Sequence, residues 1–261
     1  MFRHHYTSRM SNSPRLEWKC ALGLMAKAPL AGAVKTRLAP ALTASEAAAL
    51  NACFLRDMAA NVADVAGDGH AEGLVVYTPV GSEAVFESIL PQNFRLLAQR
   101  GDSLGDRLCN ATEDLLKDGY GAVCLINSDS PTLPRALLER AVASLVKEGD
   151  RVVLGAADDG GYYLIGLKQA HRNLFDRIAW STAEVLAHTI ERANEIGLPI
   201  ELLPRWYDVD DAATLQRLCD ELFVTEQRDG AYHAVHTKAF LNSIIENEGR
   251  QRLYSKPASA R

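Results

Sequence analysis

Short apolar runs alternate along this chain with longer stretches in which apolar residues return every three or four positions. A run that is apolar throughout fits a strand buried on both faces, and the longer period fits a helix with one buried side. Cys20 to Ala26 (CALGLMA), Gly73 to Thr78 (GLVVYT) and Gly121 to Asn127 (GAVCLIN) are the clearest strands, with a weaker one at Phe94 to Ala98. Arg151 to Ala156, Tyr162 to Leu167 and Pro199 to Leu203 extend the series. Between them the pattern predicts helices from Thr43 to about Ala66, Leu104 to Lys117, Pro134 to Lys147, Ser181 to Ile196, Asp211 to Leu222 and His236 to Glu246. Thr43 with Glu46, and Ser181 with Glu184, have the spacing of a capping box, in which two side chains satisfy free amides of the first turn. This alternation is that of an α/β domain with a mostly parallel central sheet flanked by helices.

At 261 residues, with no internal repeat or long linker, one large domain over 20–246 is expected, with a disordered leader at 1–19 and a tail at 247–261. The net charge of −5 disfavours a general nucleic-acid binder, which usually carries a basic face. Five scattered cysteines without a C-x-x-C fit buried thiols in a reducing compartment. No apolar run reaches the ~18 residues that span a bilayer, and the polar first residues lack a signal-peptide core. A cytoplasmic protein without membrane or nucleic-acid partners is expected. The oligomeric state is not legible.

Candidate chemistry lies in the loops that leave strands, because ligands of parallel sheets bind at the strands' carboxyl ends. The first loop carries Lys27, Gly32, Lys35, Thr36 and Arg37 directly after a buried strand. Its cations suit phosphate oxygens, and Gly32 allows close backbone approach. A solvated basic loop is the plain alternative. Lys35-Thr36 ends like a Walker A loop, but Val34 stands where that motif needs glycine. The second loop, Asn127-Ser-Asp129-Ser-Pro-Thr-Leu-Pro134, offers a carboxylate for a hard cation, or simply an aspartate turn before proline. The third holds Asp208, Asp210 and Asp211 ahead of a helix, where one should be the N-cap and another a second metal ligand. The fourth, Asp158-Asp159-Gly160-Gly161, has hairpin dipeptides. Asp159 there is either a turn residue or a helper at the metal or a substrate hydroxyl. Tyr162 and Tyr163 should point one inward and one outward. The histidines show no zinc spacing, and no G-x-S-x-G is present.

In this order the loops resemble the nucleotide-diphospho-sugar transferase superfamily, which has the GT-A fold. Within it they resemble a bacterial glycosyltransferase-like family of unsettled function. The resemblance is carried by KAPLAGAVKTRLAP (Lys27 to Pro40), GDSLGDRL (Gly101 to Leu108), NSDSPTLP (Asn127 to Pro134), DDGGYYLIGL (Asp158 to Leu167) and IAWST (Ile178 to Thr182). More distantly, KTRLAPALTASEAAAL resembles 2-phospholactate guanylyltransferases, and Ser128-Asp129-Ser130-Pro131 the metal loop of molybdenum-cofactor guanylyltransferases.

The resemblance implies nucleotide binding by Lys27, Gly32, Lys35, Thr36, Arg37, Gly101 and Asp102. It also implies catalytic roles for Lys35, Arg37 and Asp159, and magnesium or manganese held with the nucleotide by Asp129 and Asp210. Asn127 stands where many glycosyltransferases have the first Asp of a D-x-D motif, and the proline and acidic pair expected after Asp210 are missing. The implied reaction is glycosyl transfer from a nucleotide-sugar to a small acceptor. Nucleotidyl transfer from an NTP to a phosphorylated small molecule is the alternative, and a non-catalytic nucleotide-binding protein the second.

Overall fold

The computed structural model describes residues 18–39, 41–92, 94–224 and 230–254. The strands are β1 (Cys20–Lys27), β2 (Ala71–Thr78), β3 (Arg95–Ala98), β4 (Ala122–Asn127), β5 (Val152–Ala157), β6 (Tyr162–Leu167) and β7 (Ile200–Trp206). The helices are α1 (Ala44–Ala66), α2 (Glu83–Glu87), α3 (Leu104–Lys117), α4 (Arg135–Val146), α5 (Val185–Glu195), α6 (Ala212–Phe223) and α7 (Val235–Glu248). The strands form one sheet in the order β3-β2-β1-β4-β6-β5-β7. All neighbours are parallel except β6, which runs antiparallel to β4 and β5. The other six strands therefore end on the same side of the sheet.

Both faces are covered, which is why β1 and β4 are apolar along nearly their whole length. Phe54 of α1, Leu138 of α4, Leu215 of α6 and Leu241 of α7 pack into one core. Leu108 of α3 and Leu186 of α5 pack into the other. Double coverage also corrects the expectation for the tyrosine pair. Tyr163 is buried in the first core and Tyr162 packs against the second, so neither faces outward to solvent. Pro204 sits in β7, an edge strand, where a missing amide costs no ladder bond on the open side.

Helix starts follow the capping rules in part. Thr43 and Glu46 form the expected box at α1, each accepting the other's backbone amide. Ser103 with Asp106 makes another at α3, unforeseen in the sequence. The expected box of Ser181 and Glu184 does not form, because Ser181 adopts φ 64° and Thr182 Oγ1 accepts from Glu184 instead. A first-turn amide of α5 is satisfied from outside the helix, by Leu186 N donating to the Gly160 carbonyl. The short helix α2 also escaped the pattern.

The ends of the domain differ from expectation where they are described. Trp18, assigned to the leader, packs against the core beside Gly121, and Gly121 N bonds the Lys19 carbonyl. At the other end Leu253 is buried, Arg252 pairs with Glu46, and the Tyr254 hydroxyl bonds Asp220 at 2.7 Å. Folded structure therefore continues past 246 to Tyr254. The rest of the expected leader and tail lies outside the described residues.

Candidate functional site

The first loop leaves β1 and doubles back over the sheet edge. Lys27 Nζ donates to the Ala33 carbonyl at 2.9 Å, closing a seven-residue loop that contains Gly32 at φ 76°. Lys35 follows in the left-handed region at φ 51°, a conformation uncommon for a residue with a Cβ. That backbone aims the side chain inward and not along the loop. Only 4% of it is exposed. Its ammonium lies 2.7 Å from Asp129 Oδ1 and 2.9 Å from Asp210 Oδ1, donates to the Val209 carbonyl at 2.7 Å and sits 5.5 Å above the Phe54 ring. This loop lysine is thus buried at the centre of the site and not part of a solvated basic loop.

The two carboxylates arrive from different strands. Asp129 follows β4, and Asp210 follows β7. A backbone bond from Val209 N to the Asp129 carbonyl, 2.9 Å, ties the two loops together. Of the three late aspartates, Asp211 is the N-cap of α6, accepting from Thr214 N at 2.9 Å. Capping is thereby removed from Asp210, whose oxygens point to Lys35 and, at 3.5 Å, to Arg37.

Burial works against the charge of Lys35, but Asp129 and Asp210 outweigh it and hold its pKa above the ordinary value. Burial likewise opposes ionisation of Asp210, and Lys35 with Arg37 reverses that, keeping its carboxyl below the usual range. Asp208 has no such cation. Burial first, then the charges of Asp159, Asp210 and Asp129, push its carboxyl up to about 7. The crevice thus holds more negative charge than Lys35 neutralises. Asp158, by contrast, is engaged by Arg217 at 2.7 Å.

Two cavities meet here. The first, about 350 Å³, is lined by Lys27, Lys35, Asp129 and Asp210 and by Thr78, Gln99 and Arg107. Asn51 of α1 also lines it, buried, with an Oδ1 that has no partner among the described residues. The second, about 490 Å³, is walled by Arg37, Asp159, Tyr162, Trp180 and Thr182, and shares Asp210 and Leu104 with the first. Gly160, at φ 92°, lets the β5–β6 hairpin lie against Ala183, where any Cβ would collide with the backbone. Asp159 Oδ1 accepts from Gly161 N at 2.8 Å, which is the anticipated turn, and the residue also lines the second cavity.

The structure therefore brings together Lys27, Lys35, Asp129 and Asp210 in one cavity and Arg37, Asp159 and Asp210 in the next. Gly32, Thr36, Gly101 and Asp102 line neither. Gly101, at φ 120°, turns the chain into α3 with its α-carbon against Asp106, so that loop presents Gln99, Leu104 and Arg107 to the cavity instead. Gln99, Asn51 and Thr78 carry no motif and could not be found from spacing. Asp208 does carry a signal, since three carboxylates within four residues cannot all cap one helix.

No three metal-binding side chains converge on a point among the described residues. The donor set nevertheless fits a hard divalent cation. Asp129 and Asp210 already converge on one positive atom, Lys35 Nζ, with a further carboxylate, Asp208, in reach of their charge. Oxygen ligands from one or two carboxylates, completed by phosphates and water, are what magnesium prefers.

Comparison with known proteins gives a consistent picture. A candidate nucleotide-diphospho-sugar transferase from Desulfovibrio desulfuricans G20 is 31% identical, superposes with a TM-score of 0.77, and the match covers 90% of this chain and 98% of that one. The family "Uncharacterized protein conserved in bacteria (DUF2064)" matches residues 61–182. CMP:2-keto-3-deoxy-manno-octonic acid synthetase, solved with CTP, shares the fold at 14% identity and a TM-score of 0.50, over 77% of this chain and 96% of its own. A cytidylyltransferase from Leptospira borgpetersenii serovar Hardjo-bovis does so at 13% identity and a TM-score of 0.50, over 93% of this chain and 100% of its own. No curated protein matches the chain.

Proposed function

The chain belongs to the nucleotide-diphospho-sugar transferase family, and on that premise we propose that it moves a glycosyl group from a nucleotide-diphospho-sugar to a small acceptor. The observation that carries this reading is the pair of adjoining cavities that share Asp210. One runs along the strand ends and suits the nucleotide. The other opens beyond the metal-type carboxylates, where a transferred sugar and its acceptor need room.

In this reading Lys27, Lys35 and Arg37 bind the diphosphate, with the backbone of Gly32 and Thr36 shaping their loop and Gly101 and Asp102 the opposite rim. Asp129 and Asp210 would hold magnesium or manganese, which neutralises phosphate charge when bound. Lys35 would then exchange its carboxylates for phosphate oxygens, a trade of one charge-assisted contact for another. The acceptor hydroxyl attacks the anomeric carbon, the bond from that carbon to the diphosphate breaks, and the nucleoside diphosphate leaves with the bonding electrons. Asp159, on the wall of the second cavity, takes the hydroxyl proton. Fixed charges aimed at the leaving oxygens supply the larger part of the barrier lowering. Nucleotidyl transfer uses the same cations. It is less favoured here because Lys35 is already matched by two carboxylates, which leaves the loop less net positive charge for a triphosphate.

No helix among the described residues is long and apolar enough to cross a membrane. A thermal-shift screen of nucleotide-sugars and NTPs, with and without magnesium, tests the proposal. A ligand at 100 times its Kd adds about 2.7 kcal/mol of stability. Magnesium-dependent stabilisation by a nucleotide-sugar, followed by its turnover with acceptor, is expected. Stabilisation by triphosphates alone, with pyrophosphate release, would replace it with the nucleotidyl reading. Stabilisation without any turnover would leave a binding protein.

A further inference from the structure

The nucleotide cavity runs across the ends of four adjacent strands, β3, β2, β1 and β4. Gln99 follows β3, and Asp129 follows β4. Three inter-strand spacings separate those positions, about 14 Å in all. With phosphates held at Lys35 and Asp129, the base of a nucleotide laid along this edge falls at the Gln99 end.

Gln99 is held unusually firmly for a surface-loop glutamine. Its backbone amide prolongs the ladder by donating to the Tyr77 carbonyl at 2.8 Å. Its side-chain Nε2 donates to the Val76 carbonyl at 2.8 Å and to the Ala26 carbonyl at 3.4 Å. Oxygen and nitrogen of an amide are usually hard to tell apart, but here both partners are carbonyls, so only the nitrogen can face them. Both hydrogens of the amide are thereby consumed. What remains for the cavity is Oε1, an acceptor with no partner among the described residues.

We propose that Gln99 selects nucleotides whose base carries an exocyclic amino group at its pairing edge, by accepting that amine's hydrogen on Oε1. The inference rests on the nucleotide-binding reading above and deepens it. A keto oxygen at the same place would face Oε1, with the Val76 and Ala26 carbonyls close behind it. Gln99 has no hydrogen left to offer such an oxygen; Thr78 supplies one hydroxyl at most, and Arg107 gives its Nε hydrogen to the Gly101 carbonyl at 3.1 Å, which leaves only its terminal amines. A site built around a fixed acceptor discriminates strongly, because the wrong partner leaves both groups desolvated and unpaired.

Calorimetric titration of the full chain with CDP and UDP, and with ADP and IDP, in magnesium, tests this, since each pair differs at the base by an amino against a keto edge and carries the diphosphate of the proposed donor. In the pair that binds more tightly, the amino member should bind at least about tenfold more tightly than the keto member. In Gln99→Met, which keeps length and loses the acceptor, the two should fall to within about twofold of each other. A merely structural role for Gln99 would weaken both members alike and leave their ratio unchanged. Equal binding of amino and keto members by the parent protein overturns the proposal while nucleotide binding stands. Failure of every nucleotide to bind overturns both. The parental comparison needs no variant, so the claim stays exposed even if Gln99→Met does not fold.

Discussion

Behind the sheet, Asp57 of α1 is fully buried, and its two oxygens accept the amides of His236 and Thr237 at 3.0 and 2.8 Å. At the crevice, Asp129 and Asp210 meet at one ammonium, Lys35, with Asp208 near enough to feel their charge. The first carboxylate is answered by the free amides and positive end of α7, so its burial adds to stability. The second group is under-neutralised, and burial pushes Asp208 towards the proton it would otherwise shed. Carboxylates crowded in this way are what the proposed cation would neutralise, whereas Asp57 joins two helices. The same residue type serves structure or chemistry according to whether its partners are already present.

The two regions should respond oppositely to losing a carboxylate. Asp57→Ala strands two amides in the interior, and urea unfolding should show a loss of about 2–4 kcal/mol, with nucleotide affinity of the folded fraction unchanged. A loss below about 1 kcal/mol would mean that water replaces the cap. Arg37→Ala removes an exposed side chain at the crevice, 72% accessible, and should leave stability nearly unaltered. Calorimetry should show nucleotide binding weakened by about 1.5–3 kcal/mol, the worth of a hydrogen bond to a charged group.

Asp208→Asn should have the smallest effect and the opposite sign to Asp57→Ala. Its carboxyl is raised to about 7 in the folded chain, against about 3.9 unfolded, so the folded state binds that proton more tightly. Stability contributed by the group is present at low pH and declines as pH climbs through that interval. The substitution should therefore raise stability at pH 8, by about 1 kcal/mol after solvent screening, and have no benefit below pH about 4. An equal gain at both pH values would show that the carboxylates do not repel.

Much of the fold was readable because the sheet is covered on both faces. Apolar runs such as GAVCLIN could only be central strands, and the Thr43 box marked its helix correctly. The Ser181 box failed because Ser181 is left-handed and Thr182 Oγ1 takes the Glu184 amide, while Gly160 from a distant hairpin accepts from Leu186 in the same turn. The loop positions of Lys35, Asp129 and Asp210 were legible from strand order alone. Their mutual contact was not, since it depends on a left-handed Lys35 that turns a phosphate-type lysine inward. Gln99 and Asn51 had no signal at all. Their importance comes from which atoms their neighbours leave unpaired.

Asp129 and Asp210 are proposed as carboxylates that take up a cation together with a nucleotide. Calorimetric titration of nucleotide into the parent protein and Asp129→Asn, each with and without magnesium, addresses this most directly. Asparagine keeps the shape and removes the charge. The parent should bind nucleotide much more tightly with magnesium than without, and bind magnesium alone only weakly, because Lys35 already occupies the two carboxylates. Asp129→Asn should fold as the parent does and lose the magnesium dependence. Retention of the parent's full magnesium dependence by Asp129→Asn would contradict the account and return Asp129 to the role of a turn residue.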